Sequence, residues 1–381
     1  MDKIFTKKLV IMAGGTGGHV FPGLAVAQVL INKGWKLDWI GTADRMEADI
    51  VPANNIPIHF IKIAGIRGKG LARKVFAPFH LIKAFFQARK ILQALAPDAV
   101  LGMGGYASGP GGLAAWSLNI PLVVHEQNAV FGLTNKLLAK FAKRVLTGFS
   151  FDDSSKHNSI FVGNPIRANF AEIPAMESKP LDKIRLSEKN DLRVNILIIG
   201  GSLGALALNQ IVPRCLLGLS EHYAVSIHHQ SGKNKLEQVN QAYANAPNVK
   251  TSEFIDDMPA AFAWSDIVIC RAGALTVAEV AASGRAAIFV PLPIAVDDHQ
   301  TKNAQSLSKQ GAAIIIPQDK LTEVLPRHLT SLLEDENLRL DMASKAKKCL
   351  PLNASNIVVE HIEQAAQLDA IASQVISSKG D

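Results

Sequence analysis

The order of hydrophobic and polar positions predicts strands and helices that alternate along most of the chain. Residues 7–30 read "KKLVIMAGGTGGHVFPGLAVAQVL": an apolar run of strand length, a glycine-rich turn and an apolar-periodic helix. The stretch "RVNILIIGGSLGA", residues 193–205, begins in the same order. Each apolar strand therefore ends where backbone N–H groups enter a glycine-rich turn at the start of a helix.

Later segments of the two halves also correspond. "PDAVLGMGGYASGPGGLAAW" (97–116) matches "SDIVICRAGALTVAEVAASG" (265–284), and "IPLVVHEQNA" (120–129) matches "RAAIFVPLPIAVDDHQTKNA" (285–304). Strands followed by helices in this order are typical of parallel sheets with helices on both faces. The pattern predicts two Rossmann-like α/β domains.

Composition shifts along the chain predict where these domains end. The segment "EIPAMESKPLDKIRLSEKND" (172–191) is charged, contains proline and lacks long apolar runs, which is typical of a linker. We expect an N-terminal domain at 1–166, a linker at 167–192 and a C-terminal domain at 193–351. A helical tail at 352–381 is expected to pack back on the N-terminal domain.

The overall composition is that of a globular protein with two cores. The 381 residues are 48% hydrophobic and only 19% charged. The three cysteines are far apart, so neither a zinc cluster nor a disulfide framework is indicated, and a reducing, cytoplasmic setting fits. No signal peptide is expected, and the longest uncharged run, 99–124, is too rich in glycine and proline for a transmembrane helix.

The net charge of +7 is concentrated in one segment. Residues 51–97 contain eight Lys and Arg and no Asp or Glu. Within them, Val75, Phe79, Ile82 and Phe86 recur at helical spacing, flanked by Arg73, Lys74 and Lys83. This pattern predicts a surface helix that docks on anionic lipid. Nucleic-acid binding is a less favoured alternative, and a core-facing helix with a solvated basic side is another.

The first glycine turn lacks the GxGxxG spacing of dinucleotide-binding folds. Its glycines let a ligand approach the backbone, and His19 follows at the start of the helix. The positive end of the helix dipole would lower the pKa of His19 and favour the neutral imidazole, which can act as a general base. A histidine that only hydrogen-bonds the helix start is the alternative.

The second half carries features suited to a nucleotide. Helix starts near Ser202 and at 273–276 can together hold a diphosphate without a metal ion, and Glu279 follows where a ribose would present hydroxyls. The acid pairs at 256–257 and 297–298 have no histidine or third carboxylate at ligand spacing, so a metal site there is disfavoured.

Seven motifs in the same order give the chain a specific resemblance. "GGTGGHVFP", "GMGGYASGPGGLAAW", "HEQNA", "GNPIR", "GGSLGA", "EFIDDM" and "CRAGALTVAEVAASG" resemble the MurG family across nearly the whole chain. The resemblance implies a GT-B fold, in which a deep cleft separates two Rossmann-like domains. It also implies metal-independent, inverting transfer of N-acetylglucosamine from UDP to the C4 hydroxyl of the muramoyl sugar in undecaprenyl-pyrophosphoryl-MurNAc-pentapeptide (lipid I), giving lipid II.

The resemblance also assigns roles to residues. His19 is the implied general base, with Glu126 as a second catalytic group. A loop at Gly102, Gly104, Gly105 and Tyr106 is implied to face the acceptor pyrophosphate. The implied donor contacts are Thr16, Gly17, Gly18, Asn128, Arg167, Ser202, Ile255, Ala274, Leu275, Thr276, Val277, Ala278, Glu279 and Gln300.

The sequence departs from the family pattern at three positions. Leu203 and Thr301 stand where glutamine is common, and Ala272 stands where serine is common. These changes remove polar side chains near the expected phosphates and sugar but leave the backbone N–H groups in place.

The resemblance implies a peripheral protein on the cytoplasmic face of the bacterial inner membrane. Its expected partners are UDP-GlcNAc as donor substrate, lipid I, the anionic membrane surface and proteins of cell-wall synthesis and division, with no cofactor and no nucleic acid. Two alternatives stay open from the sequence. One is an NAD-dependent oxidoreductase on a double Rossmann scaffold, and the other is a binding module without catalysis.

Overall fold

The structure is a computed structural model that describes residues 6–63, 71–151, 158–179, 193–201 and 204–377. The side chains of 71–77, 296 and 368–377 are outside the description. The chain forms two compact units: Met1–Arg167 together with Asn353–Asp381, and Ala168–Leu352.

The first unit is built on a parallel sheet of seven strands in the order β3-β2-β1-β4-β5-β6-β7. Apolar side chains cover both faces of this sheet and pack under the flanking helices. Its elements up to the end of the sheet are β1 Lys8–Met12, α1 Gly17–Asn32, β2 Lys36–Gly41, α2 Glu47–Ala53, β3 Ile58–Phe60, α3 Leu71–Leu95, β4 Ala99–Gly102, α4 Ser108–Ser117, β5 Leu122–Glu126, α5 Leu133–Leu138, β6 Arg144–Thr147 and β7 Ser159–Phe161.

The second unit is built on a parallel sheet of six strands in the order β10-β9-β8-β11-β12-β13. Short 3₁₀ turns lie at Ala168–Phe170, Val296–Asp298 and Gln318–Lys320. Its strands and α-helices are β8 Val194–Ile199, α6 Leu206–Ser220, β9 Val225–Gln230, α7 Leu236–Ala242, β10 Val249–Ser252, α8 Met258–Trp264, β11 Ile267–Cys270, α9 Ala274–Ser283, β12 Ala286–Phe289, α10 His299–Ser308, β13 Ile314–Ile315, α11 Leu321–Glu334 and α12 Glu336–Cys349.

Both sheets reverse their strand order at the corresponding place. The first sheet changes direction between β1 and β4, and the second between β8 and β11. Loops that leave adjacent strands in opposite directions open a crevice at the carboxyl edge of a parallel sheet, where such folds bind ligands. The glycine-rich turns of the sequence leave these four strands, so the prediction of two Rossmann-like domains is confirmed.

The last helix, α13 (Ala354–Ser377), lies on the first unit. Val358, Val359 and Ile362 are fully buried in the same apolar cluster as Val26 and Leu30 of α1. The helix is amphipathic, and its apolar stripe completes one face of the seven-stranded sheet.

Residues 168–179 of the expected linker belong to the second unit and are held against it. Arg285 donates to the carbonyl of Pro174 at 3.1 Å, and Lys347 Nζ donates to that of Ile173 at 2.9 Å. Arg339 donates to the carbonyl of Lys179 at 2.5 Å. These side chains fix the segment through its backbone, which makes the contacts independent of the segment's own side chains.

The packing of α13 predicts that Ile362→Ala destabilises the first unit. Removing a fully buried isoleucine side chain leaves a cavity and costs about 2–5 kcal/mol. Urea unfolding followed by tryptophan fluorescence measures the loss, because Trp39 is buried in the same cluster. Gln364→Ala, on the exposed side of the helix, is the control and should change stability by less than about 0.5 kcal/mol. Equal effects of the two changes would contradict this packing.

Candidate functional site

Buried side chains hold the first glycine turn, which joins β1 to α1. The indole N–H of Trp39 donates to the carbonyl of Ala13 at 2.9 Å. The N–H of Gly15 donates to the carboxylate of Glu47 at 3.0 Å. Gly15 has a φ of +94°, in the left-handed region that glycine adopts without strain. The turn is thus anchored at its start and its middle from the strand and helix behind it.

Glu47 lies in the first turn of α2 and is fully buried. Its Oε1 also accepts the N–H of Thr42 at 3.1 Å and the Thr42 hydroxyl at 2.8 Å. A Cβ at Gly14 would lie 2.4 Å from the same oxygen, so only glycine fits above this carboxylate. The sequence reasoning missed Glu47, because nothing in "GTADRMEADI" marks an acid that folds under a distant turn.

The second glycine turn, after β4, meets the first. Gly104 and Gly105 have φ values of +92° and +84°. A Cβ at Gly105 would lie 2.3 Å from the carbonyl oxygen of Gly14, and one at Gly104 would lie 3.0 Å from the imidazole of His19. Two of the predicted loops therefore lie in backbone contact beside the predicted base. Gly102 differs, because a Cβ there would meet Val124 at an ordinary 3.8 Å.

His19 lies in the first turn of α1, and its Nδ1 is 3.2 Å from the hydroxyl oxygen of Thr16. Burial lowers the pKa of His19, and this outweighs the opposing effects of Glu126, a hydrogen bond with the Gly14 carbonyl, and Glu47. The expected cause of the lowered pKa of His19 is the helix dipole, whereas in the structure the main cause is burial. A pKa below about 6.5 leaves the imidazole neutral at pH 7 and able to accept a proton.

Glu126, at the end of β5, is buried and its carboxylate is fully used. Oε1 accepts the backbone N–H of Asn128 at 3.0 Å and its amide N–H at 3.3 Å. Oε2 accepts the N–H of Gly132 and the amide of Asn135, each at 2.9 Å. A carboxylate has about four lone-pair sites, and the four donors use them all. This geometry favours a structural role for Glu126 over the expected catalytic one.

The remaining expected contacts of the first unit lie at its surface. Thr16 and Gly18 are exposed at the start of α1, and Gly17 and Tyr106 are partly buried. Arg167 is the last residue before the second unit, and it is exposed.

Two helix starts of the second unit open into one cavity of about 650 Å³. The turn after β8 contributes glycines, and the start of α9 contributes Gly273 and Thr276. Backbone N–H groups at helix N-termini are suited to anionic groups. The lining residues are Ile199, Gly200, Gly201, Gly204, Ala205, Leu206, Ala207, Gln210, Arg271, Gly273, Thr276, Leu292, Gln300 and Gln318.

Arg271 supplies this cavity with a positive charge that the sequence reasoning did not assign. It donates to the carbonyls of Val290 and Pro291 at 3.0 and 3.1 Å and to the Gln318 side chain at 2.6 Å. Burial lowers the pKa of Arg271, but a guanidinium starts high enough to stay charged. Gln300 lines the same cavity, and its Oε1 accepts the N–H of Leu292 at 3.0 Å.

The first residues of α9 differ in what they offer to this cavity. Ala274, Leu275 and Thr276 form its first turn, and Glu279 follows on a partly buried position. Val277 and Ala278 have buried side chains, and the N–H of Val277 donates to the Gly273 carbonyl within the helix. The geometry therefore does not favour Val277 or Ala278 as ligand contacts.

Ile255 does not line the cavity at the starts of α6 and α9. It lines a second cavity of about 510 Å³ with Phe254, His228, Ser252 and Trp264. Ser202 and Leu203 lie outside the described residues, as do the side chains of Arg73, Lys74 and Val75.

The other two departures from the family pattern have local partners. Ala272 is fully buried, and its carbonyl accepts the amide of Asn303 at 3.1 Å. The hydroxyl of Thr301 donates to Asp298 at 2.7 Å.

Three of the four acids in the two pairs occupy a helix cap or turn positions. Asp257 caps α8 by accepting the N–H of Ala260 at 3.0 Å. Asp297 and Asp298 occupy left-handed turn positions with φ of 54° and 52°. Among the residues that the structure describes, no three His, Cys, Asp or Glu side chains are grouped to hold a metal ion.

The α3 helix presents apolar side chains to solvent. Phe79, Phe86 and Ile82 are 72%, 62% and 54% exposed, and Lys83 beside them is exposed. The opposite face of the helix is buried against the sheet through Ala84, Ala88 and Leu92. Trp116 on α4, the helix packed beside α3, is also 51% exposed. In the part of the chain with described structure, no helix has the length and apolar character to cross a bilayer.

Both halves of the chain match models of one enzyme family. Residues 9–147 match the N-terminal domain of glycosyltransferase family 28, and residues 195–362 match its C-terminal domain. The crystal structure of MurG from Acinetobacter baumannii superposes with a TM-score of 0.76 at 43% identity, covering 94% of this chain and 99% of that one. This likeness confirms the predicted GT-B fold class.

Two relatives carry the same long name, UDP-N-acetylglucosamine–N-acetylmuramyl-(pentapeptide) pyrophosphoryl-undecaprenol N-acetylglucosamine transferase. The protein from Pseudoalteromonas atlantica is 49% identical over 96% of this chain and 97% of its own length. The protein from Tolumonas auensis is 53% identical over 86% of this chain and 94% of its own length. Matched in both halves by the family models and along nearly its whole length by these relatives, the chain belongs to the MurG family of N-acetylglucosamine transferases.

Proposed function

We propose that this chain transfers N-acetylglucosamine from UDP-N-acetylglucosamine to the C4 hydroxyl of the muramoyl sugar in undecaprenyl-pyrophosphoryl-MurNAc-pentapeptide, giving lipid II. The observation that carries the proposal is the place of the His19 imidazole, whose pKa burial lowers, beside two glycine turns in backbone contact. Glycine turns admit a bulky phosphorylated sugar close to the backbone, and the imidazole can accept the proton of the attacking hydroxyl.

The cavity of the second unit is the proposed donor site. The starts of α6 and α9 direct backbone N–H groups toward a diphosphate, and Arg271 adds a fixed positive charge. Thr276 lines the cavity at the start of α9, and Gln300 is oriented by the Leu292 N–H toward the transferred sugar. Glu279 is proposed to accept hydrogen bonds from the ribose, and the backbone of Ile255 to meet the uracil.

The proposed reaction is a single displacement with inversion at the anomeric carbon. The acceptor hydroxyl forms the new C–O bond as the bond to the UDP oxygen breaks, and His19 takes the hydroxyl proton. An inverting displacement needs one base and no covalent sugar intermediate. UDP leaves with its negative charge, which the helix starts and Arg271 stabilise.

His19→Ala is expected to lower kcat by about 10²–10⁴-fold, because the acceptor hydroxyl loses its proton acceptor. The KM for UDP-N-acetylglucosamine should stay near that of the wild type. Transfer of radiolabelled N-acetylglucosamine to a lipid I analogue measures both constants. His222→Ala, an exposed histidine at the end of α6, is the matched control and should transfer normally. Undiminished transfer by His19→Ala would remove His19 from the role of base.

Chelation of divalent cations with EDTA should leave the transfer rate unchanged within about twofold. Two helix starts and Arg271 already stabilise the charge of the diphosphate, so the departing UDP does not need a metal ion. The same radiolabel assay, run with EDTA and then with added Mg²⁺, checks this. A rate that collapses with EDTA and returns with Mg²⁺ would show that the charges on the protein are insufficient.

We further propose that the chain works as a peripheral protein on the cytoplasmic face of the inner membrane. The exposed apolar side chains of α3 lie next to the exposed Lys83, a combination that suits insertion among anionic headgroups. The lipid-linked acceptor is anchored in the same membrane, so this placement would bring the enzyme to its substrate.

Replacing Phe79, Ile82 and Phe86 together by serine should reduce binding to anionic vesicles severalfold or more, because the buried apolar contact with the bilayer is lost. Co-sedimentation with vesicles of anionic and of zwitterionic lipid measures it. The matched control replaces three apolar residues elsewhere on the same unit by serine. These residues, Ile31, Ile160 and Phe161, are 38–40% exposed. Equal binding by both triple variants would show that the α3 surface is not the membrane contact.

A further inference from the structure

A buried carboxylate holds the glycine turn that leads to the proposed base and takes no part in the steps above. Glu47 is fully buried, and it accepts hydrogen bonds from the N–H of Gly15 and from both the N–H and the hydroxyl of Thr42. Three donors on one buried carboxylate fix its position strongly, because hydrogen bonds to a charged group are the stronger kind.

One peptide group connects this carboxylate to the imidazole. The carbonyl of Gly14 and the N–H of Gly15 belong to the same planar trans peptide, so they point in opposite directions. The N–H donates to Glu47 at 3.0 Å. The carbonyl is the backbone group that raises the pKa of the His19 ring against the effect of burial. The direction of the Glu47 hydrogen bond therefore sets the direction in which the carbonyl meets His19.

The glycines on both sides of this peptide are required by the same contact. A Cβ at Gly14 would overlap Glu47, at 2.4 Å from Oε1. Gly15 holds a φ of +94°, which a residue with a side chain adopts only at a cost. The glycine pair and the acid thus act together to hold the peptide in one orientation.

We propose that Glu47 is a positioning residue for His19, acting through the single peptide between Gly14 and Gly15. The proposal rests on the proposed function, since it concerns how the base of that reaction is presented. Two carboxylates act on the His19 ring: Glu47 from α2 and Glu126 from the end of β5. Both are buried, and both are held by donors on neighbouring turns.

The variant E47Q separates this role from simple packing. The glutamine side chain has nearly the shape of the glutamate side chain, but an NH₂ group replaces one of the two acceptor oxygens. An N–H of this group must then face another hydrogen-bond donor, with which it cannot form a hydrogen bond. The peptide loses its anchor, and His19 loses a negative charge that raises its pKa. The pKa of His19 in E47Q should therefore fall further below its ordinary value.

The matched control is T42V. It removes the hydroxyl bond on the far side of the carboxylate and leaves the charge and the Gly15 bond in place. T42V and E47Q should both lose stability, but only E47Q should change the titration of His19. NMR titration of ¹³C-labelled histidine measures this without substrate. An unchanged His19 titration in folded E47Q would overturn the proposal.

Transfer kinetics supply the second readout. E47Q should lower kcat on the order of 10²-fold, as expected for a misplaced catalytic group, with little change in the KM for UDP-N-acetylglucosamine. The acidic limb of its pH–rate profile should move to lower pH. Equal losses in kcat and in donor affinity, with no movement of the limb, would indicate only a general loss of structure and would overturn the proposal.

If E47Q does not fold, the variant E47D tests the proposal in its place. It keeps the charge, but its carboxylate is one methylene shorter and cannot span from Thr42 to Gly15. A folded E47D with wild-type kcat would overturn the proposal, whereas a lowered kcat at unchanged KM supports it. Absence of transfer in the wild type would remove the proposed function, while the NMR titration would still decide whether Glu47 acts on His19.

Discussion

The backbone contact between two glycine turns is the constraint on which the candidate site depends. Gly105 packs against the carbonyl of Gly14 so closely that a Cβ would lie 2.3 Å from its oxygen. The contact exists because β1 and β4 are neighbours in the sheet, and their loops leave the switch point in opposite directions. Around this contact lie His19, Glu47 and the hydrogen-bonded Glu126.

The second unit has its own switch point at the corresponding place in its sheet, with different side chains around it. Its turns after β8 and β11 lead into helix starts, and its charge comes from a partly buried arginine rather than from carboxylates. The two units thus differ in the charge around their turns: His19 of the first lies near two buried carboxylates, and an arginine lines the cavity of the second. A repeated fold carries different functions because side chains on equivalent loops differ, while the backbone plan stays the same.

Local patterns predicted the elements and the glycine turns, since both are properties of short segments. The strand before each turn, the helix after it and the place of His19 follow from "GGTGG" and its counterpart, whereas the strand order does not. Glu47, Thr42 and Asn135 were missed because each is a polar residue whose meaning arises only when a distant turn folds onto it. For the same reason the four hydrogen-bond donors around Glu126 are invisible along the sequence. A catalytic role for Glu126 stays a prediction. Whether the expected donor contacts bind substrate stays a prediction.

The contact between Gly14 and Gly105 also bears on how the protein could be divided. The two glycines lie on opposite sides of α3 in the chain, so a fragment that ended in the loop before β4 would hold one turn without the other. Neither fragment alone could form the contact beside the imidazole, because the opposing glycine belongs to its complement. Reassembly of two such fragments would restore the contact, which makes it a sensor of fragment complementation.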